Sequence, residues 1–116
     1  MQPVHLDLAK LPESNDSQTV MRLDGKLSLE TVYNFIQTMR SEPATQLILD
    51  MSGVSFLDSA GVGALVQIFV HRRSHGQTFV LTGLTKQGNA VMQVAGLTKL
   101  LPIHGTVADA LAARPA

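Results

Sequence analysis

Cysteine and tryptophan are both missing from this sequence of 116 residues. The lack of cysteine excludes disulfide bonds, a thiolate nucleophile and any metal site built on cysteine ligands. It fits a protein of a reducing compartment, and we expect a cytoplasmic location. No stretch approaches the ~20 consecutive apolar residues of a transmembrane helix, and the N-terminus lacks the uninterrupted apolar stretch of a signal peptide. We therefore expect no membrane insertion.

The sequence also lacks an excess of charge of either sign. Nine basic residues balance nine acidic ones, so no overall field attracts the chain to nucleic acid or to an anionic membrane. The one tight basic cluster, His71-Arg72-Arg73, is interpreted as the polar end of a helix. Hydrophobic residues make up 45% and charged residues 16%, which is typical of a folded domain, and we expect one domain over 1–116.

Two alternating patterns at the start of the chain predict a β-hairpin. Apolar and polar side chains alternate over residues 3–8 and again over residues 18–25, with the polar turn KLPESNDS between them. Such alternation predicts half-buried strands, and the second run ends on the turn dipeptide Asp24-Gly25. Two runs of this kind in succession favour antiparallel pairing.

Helical and strand patterns alternate through the rest of the chain. Apolar spacings of three and four predict helices from residue 28 to before Pro43, over 60–74 and over 86–96, and a small helix over 106–113. Short apolar runs predict strands over 46–51, 78–83 and 100–103, and SGVSFLD (52–58) is predicted to be a loop. The order β-β-α-β-α-β-α-β-α indicates an α/β fold with a mixed, mainly parallel sheet of about five strands and helices packed on it.

The same spacings predict which helical residues face the core. The inward positions are expected to be Leu29, Val32, Tyr33, Ile36 and Met39 in the first helix, Val62, Leu65, Val66, Phe69 and Val70 in the second, and Val91, Met92 and Val94 in the third. Gly76 is expected to end the second helix in a left-handed conformation.

No enzymatic motif is complete. Ser59 lies at a strand-to-helix junction, as the nucleophile of G-x-S-x-G hydrolases does, but Leu57 stands where the first glycine is needed. His71 and His75 share one helical face, yet the glutamate of an H-E-x-x-H zinc motif is missing between them. Glycine-rich phosphate-binding motifs are also incomplete. We therefore expect no metal, no cofactor and no catalytic residue.

Two interpretations of Ser59 stay open. Either Asp58 or Ser59 suits the N-cap of the following helix, a position worth about 1 kcal/mol relative to alanine. Alternatively, Ser59 is a modification site, because the first backbone N–H groups of a helix lack intrahelical partners and the helix dipole favours an anion there. Gly61 and Gly63 carry no bulk and would let a partner's backbone approach, and Val62 would offer an apolar contact.

The central segment LILDMSGVSFLDSAGVGALVQI (47–68) resembles the signature of STAS domains, in particular that of bacterial anti-sigma factor antagonists. Those proteins have an apolar strand, a short loop with a hydrophobic pair, and then Asp-Ser-[Ser/Ala]-Gly opening a helix. The flanking segments 20–32 and 76–111 are similar to the family in the corresponding order. Ala60 replaces a second serine that is common in the family, which leaves Ser59 as the only hydroxyl at the motif.

The resemblance implies a binding switch rather than an enzyme. An unphosphorylated antagonist binds an anti-sigma factor that is also a serine kinase, and so frees the sigma factor. Phosphorylation of the serine after the motif aspartate, here Ser59, releases the partner, and a PP2C-type phosphatase resets the switch. The resemblance implies a partner surface that includes Asp24, Gly25, Asp58, Ser59, Ala60, Gly61 and Val62.

An alternative also follows from the family. A STAS module also serves as a constitutive structural or regulatory subunit of a transport complex or a signalling scaffold, and Ser59 would then be only a helix cap. In either case we expect a monomer or a weak homodimer.

Overall fold

The computed structural model describes residues 4–113 and contains five strands and four helices. In chain order the elements are β1 (Leu6–Lys10), β2 (Gln18–Leu27), α1 (Val32–Arg40), β3 (Gln46–Leu57), α2 (Ser59–Ser74), β4 (Thr78–Thr82), α3 (Lys86–Val94), β5 (Ile103–His104) and α4 (Val107–Ala112). The predicted order is confirmed. Of the predicted first strand, residue 3 lies outside the described residues, as do the ends of the predicted domain span, 1–3 and 114–116.

The sheet is mixed and mainly parallel, as predicted, with the strands in the order β1-β2-β3-β4-β5. β1 runs antiparallel to β2, so the predicted hairpin is confirmed, and the other neighbouring pairs are parallel. Parallel neighbours need a crossover connection, and α1, α2 and α3 supply these. The carboxyl ends of β2 and β3 consequently meet at one edge, where α2 begins.

Each face of the sheet buries a separate hydrophobic cluster, because successive side chains of a strand point to opposite faces. The larger cluster lies under α1, α2 and α3 and contains Leu47 and Leu49 of β3 together with Phe35, Leu65 and Met92 of the helices. On the other face, α4 covers a smaller cluster of Val20, Ile48, Val80 and Ala110. The short C-terminal helix therefore closes the side that the three longer helices leave open.

Two strands are longer than predicted. The segment SGVSFLD was predicted to be a loop, but β3 continues through it to Leu57, and β2 continues to Leu27. The prediction was wrong because the two extensions pair with each other, Gly25 with Val54 and Leu27 with Leu57, with irregular register nearby. Serine and glycine residues in this part of β3 interrupt its apolar run, so the sequence pattern does not reveal the strand. The last strand is also displaced, to Ile103–His104 from the predicted 100–103.

Several predicted inward positions are exposed. Leu29 and Tyr33 are 72% and 77% exposed, Val70 is 57% exposed and Val94 is 90% exposed. Leu29 is exposed because residues 28–31 form a turn and α1 begins only at Val32. Tyr33 is inside α1 but lies two residues before Phe35, on the opposite side of the helix. Phe35 and Met39, one helical turn apart, then provide the buried face.

Of two predictions for the end of α2, one is confirmed and the other is wrong. Gly76 has a φ of +71°, the left-handed conformation expected of a helix terminator. Arg72 belongs to the predicted polar end of the helix but is only 1% exposed. Its guanidinium donates to the carbonyl oxygens of Thr78 (2.9 Å), Glu42 (3.1 Å) and Ala44 (2.6 Å), and burial lowers its pKa. Arg72 therefore fastens α2 to two neighbouring segments.

No helix in residues 4–113 combines the length and the apolar character that crossing a membrane requires.

Candidate functional site

The carboxylate of Asp58 organises the junction between β3 and α2. Oδ1 accepts a hydrogen bond from the backbone N–H of Gly61 (2.8 Å), which makes Asp58 the N-cap of α2. Oδ2 accepts from the backbone N–H of Leu29 (3.1 Å). One side chain thus satisfies an otherwise unpaired donor of the helix and also holds the turn that precedes α1.

Ser59 is the first residue of α2 and is exposed. The structure therefore assigns the cap to Asp58, and Ser59 is not the N-cap. Among residues 4–113, the Ser59 hydroxyl has no hydrogen-bond partner and neither do the backbone N–H groups of Ser59 and Ala60, whereas Val62 N–H already donates to the Asp58 carbonyl (2.9 Å). Ser59 therefore presents a hydroxyl that the fold does not use, beside two available backbone donors.

Gly61 and Gly63 have different environments. A Cβ on Gly61 would overlap the carbonyl oxygen of Leu27 and would lie 2.8 Å from a methyl group of Leu57. Gly61 is buried, so its missing side chain serves internal packing of α2 on β2, and its place in the expected partner surface stays a prediction. Gly63 is exposed and a Cβ there would meet nothing within 4 Å. Only Gly63 offers the open approach expected of both glycines.

An apolar groove runs beside Ser59, between the first turns of α2 and the face of α3. It has a volume of about 380 Å³ and is lined by Ser59, Val62, Ala90, Val91, Val94 and Ala95. We call it the α2–α3 groove. The side chain of Val94 stands 90% exposed at its edge, and Ser59 is its only hydroxyl-bearing lining residue within the described part of the chain. The groove is thus an apolar surface with a modifiable group at its rim.

The turn before α1 adds an acidic group near the motif. Ser28 Oγ donates to Glu30 Oε2 (2.8 Å), and this hydrogen bond is the main reason why the pKa of Glu30 lies below its ordinary value. The Asp58 carboxylate acts in the opposite direction, which places Glu30 within electrostatic reach of Asp58. The helical spacing predicted a helix starting at Ser28 and gave no indication of this neighbour.

Comparisons with known proteins agree with the observed order of strands and helices. The family model for the STAS domain matches residues 9–110. The chain belongs to the STAS domain family.

Solved structures with this STAS fold include proteins of more than one kind. An anti-sigma factor antagonist from Mycobacterium paratuberculosis is similar, with a TM-score of 0.81 and 22% identity over 95% of this chain and 94% of that one. The Bacillus cell fate determinant SpoIIAA in its phosphorylated form has a TM-score of 0.68 and 21% identity over 92% and 96% of the two chains. Murine Slc26a9, an anion transporter, has a TM-score of 0.76 and 19% identity over 95% of this chain but 22% of its own.

Two residues of the expected partner surface lie away from the motif of this STAS domain. Asp24 and Gly25 are inside β2, not in a turn after it, and Asp24 is paired with Gly53 of β3. Gly53 precedes Asp58 by five residues, a distance of about 16 Å along an extended strand. Asp24 instead accepts a hydrogen bond from Arg22 Nε (3.0 Å). Of the expected surface, the structure brings together Asp58, Ser59, Ala60, Gly61 and Val62.

Proposed function

We propose that this STAS domain is an anti-sigma factor antagonist, which binds an anti-sigma factor with serine kinase activity and is released when Ser59 is phosphorylated. It would thereby regulate transcription by partner switching in the cytoplasm. The observation that carries the proposal is the exposed hydroxyl of Ser59, which has no role in the fold and lies at the rim of the α2–α3 groove. The similar fold of proteins described as anti-sigma factor antagonists supports the same function.

The binding half of the switch rests on the apolar character of the groove. Val62 and Val91 line it and Val94 projects from its edge, so a partner's apolar side chains would find contacts there without displacing polar groups. Exposed apolar patches rimmed by a few polar groups are typical of protein–protein interfaces. Gly63 extends the surface on the exposed side of α2, four residues after Ser59 and hence on the same helical face.

The release half rests on charge. A phosphate on Ser59 adds about −1.5 to −2 charges at a point where the carboxylates of Asp58 and Glu30 are already close. The unpartnered N–H groups of Ser59 and Ala60 favour an anion at the helix N-terminus, so the modification is compatible with the fold. A partner that covers the groove must then desolvate this concentrated negative charge, which opposes binding.

The switch needs two enzymes that the domain does not supply. The partner kinase provides the phosphoryl group, and a PP2C-type phosphatase would remove it. The domain itself would act without a cofactor, as a monomer or weak homodimer.

Phosphate mapping tests the proposal. The domain is incubated with ATP and each histidine-kinase-like ATPase encoded near its gene, and the product is analysed by intact and fragment mass spectrometry. We expect one phosphate on wild-type protein and none on Ser59→Ala. Ser55→Ala is the matched control, because Ser55 is an exposed serine of β3 whose hydroxyl donates to the Gly25 carbonyl (3.2 Å), and it should be phosphorylated like wild type. Phosphate on a residue other than Ser59, or none with any of these kinases, contradicts the proposal.

A second candidate function is a constitutive subunit of a transport complex or signalling scaffold. The observation that favours it is the similar fold within an anion transporter. In that case a partner would occupy the α2–α3 groove permanently. Binding of the partner would then be the same for wild-type and phosphorylated protein, which separates this function from the first.

A further inference from the structure

A second cavity, with a volume of about 430 Å³, lies at the far end of α2 between the last turns of that helix, the start of β4, β5 and α4. We call it the β4-edge pocket. Its apolar lining includes Phe69 of α2, Val80 of β4, Pro102 before β5 and Ala110 of α4. Ser59 and Arg73 lie at opposite ends of α2 and are separated by about 20 Å, at 1.5 Å of rise per helical residue. The pocket is therefore remote from the α2–α3 groove.

The shortness of β5 creates this pocket. β5 pairs with Leu81 and Thr82 only, so within residues 4–113 the first three residues of β4, Thr78 to Val80, have no neighbouring strand on that side. The space that a longer strand would fill remains open between α2 and α4. The apolar residues around this space can therefore be reached from the β4 edge of the sheet.

The polar lining of the β4-edge pocket includes a hydrogen-bond donor without a partner among the described residues. Gln46, itself only 4% exposed, uses its Oε1 to accept from Gln18 Nε2 (2.7 Å), and its own amide nitrogen has no partner in residues 4–113. Buried polar side chains are normally fully paired, so the free amide nitrogen of the largely buried Gln46 in this cavity points to an acceptor on a ligand.

Charge at the pocket has one sign. Arg73 lines it, and no described carboxylate lies within salt-bridge distance of that guanidinium. Neither aspartate nor glutamate occurs among the lining residues. A guanidinium favours carboxylates, which accept two parallel hydrogen bonds from it.

From these observations we propose that the β4-edge pocket binds a small carboxylate with a short apolar chain. Arg73 supplies the opposite charge, Gln46 donates a hydrogen bond, and the chain packs against Phe69, Val80 and Ala110. This pairing of an apolar lining with a few convergent polar groups is typical of small-molecule sites. The proposed site is independent of Ser59 and of the identity of the partner.

Octanoate is the probe for the test, with octanol and octylammonium as matched neutral and cationic probes. Each is titrated into the isotopically labelled domain while the backbone amide resonances are followed by NMR. We expect octanoate to shift the resonances of Thr78, Val80 and His104 with saturation, and we expect octanol and octylammonium to bind at least about tenfold more weakly.

Two substitutions distinguish binding at this site from non-specific binding of the probe. Arg73→Gln should weaken octanoate binding about tenfold, whereas Arg40→Gln, which removes an exposed arginine from α1, should leave it unchanged. Equal binding of the three probes, no saturable shifts with octanoate, or wild-type affinity in Arg73→Gln would overturn the proposal.

Discussion

The carboxylate of Asp58 accepts a hydrogen bond from the backbone N–H of Leu29 at 3.1 Å, although 29 residues separate them in the chain. The other carboxylate oxygen of Asp58 caps α2 at Gly61. The start of α2 is therefore fixed to the turn before α1, and Ser59 is held at the rim of the α2–α3 groove. In this structure the motif aspartate positions the serine that follows it.

Substitution of Asp58 by alanine tests this positioning. Loss of the cap and of the hydrogen bond from Leu29 should lower the free energy of unfolding by about 1–3 kcal/mol, measured by urea denaturation. Asp16→Ala is the matched control, since Asp16 is an exposed aspartate for which no side-chain hydrogen bond is present among residues 4–113, and its effect should stay within about 0.5 kcal/mol. Equal stability of the two variants would contradict the assigned role.

The two motif glycines should respond in opposite directions to alanine. Gly61→Ala drives a methyl group against the carbonyl of Leu27 and should destabilise the domain by about 1–3 kcal/mol. Gly63→Ala places the methyl group in open space on an exposed helical face and should stabilise it by about 0.5–1 kcal/mol. The measurement is the urea midpoint of each variant. A Gly61→Ala protein as stable as wild type would show that the close approach of α2 to Leu27 does not require glycine at this position.

Arg72 should be far more important for stability than other arginines. Arg72→Met leaves the carbonyl oxygens of Glu42, Ala44 and Thr78 without their shared donor, and we expect a loss of about 2–4 kcal/mol. Arg40→Met, at an exposed position of α1, should change the free energy of unfolding by less than about 0.5 kcal/mol. If calorimetry gave the two variants the same unfolding temperature, the fastening role of Arg72 would be wrong.

Glu30 should titrate below its ordinary pKa of 4.5, chiefly because Ser28 donates a hydrogen bond to it. Since the pKa of Glu30 is lowered in the folded state, its contribution to stability is present above pH ~4.5 and is lost as the pH falls through the folded value. Ser28→Ala should move the pKa back toward 4.5, followed by NMR through the side-chain carboxyl carbon. Ser41→Ala, which removes a hydroxyl bonded to Gln37 O (2.8 Å), should leave the pKa of Glu30 unchanged. An unaltered titration in Ser28→Ala would exclude the stated cause.

Local sequence patterns predicted the elements of this fold because their periods are local properties. Alternation in β1 and β2, the apolar run of β3 and the spacing in α2 each depend on neighbouring residues. The exposed serine at the start of α2 was predictable for the same reason, as it follows a strand and precedes a helical pattern. The family resemblance added the role proposed for that serine, which no periodicity contains.

Long-range contacts account for what the sequence did not predict. The hydrogen bond from Leu29 to Asp58, the approach of Gly61 to Leu27 and the burial of Arg72 each join residues that are far apart in the chain. The length of β3 likewise depends on its partner β2. Val94 was predicted to face the core from the apolar pattern of the third helix, and its exposure is visible only once α3 is packed on the sheet.

The most direct test of the switch is the affinity of one partner for three forms of the domain. Wild type, Ser59→Ala and protein phosphorylated stoichiometrically at Ser59 are titrated by calorimetry with the anti-sigma factor that phosphorylates it. A nonhydrolysable ATP analogue in the cell prevents turnover. We predict that wild type and Ser59→Ala bind with equal affinity and that the phosphorylated form binds at least about tenfold more weakly, a difference of about 1.4 kcal/mol. Equal affinity of all three forms would contradict the account and would favour a constitutive subunit instead.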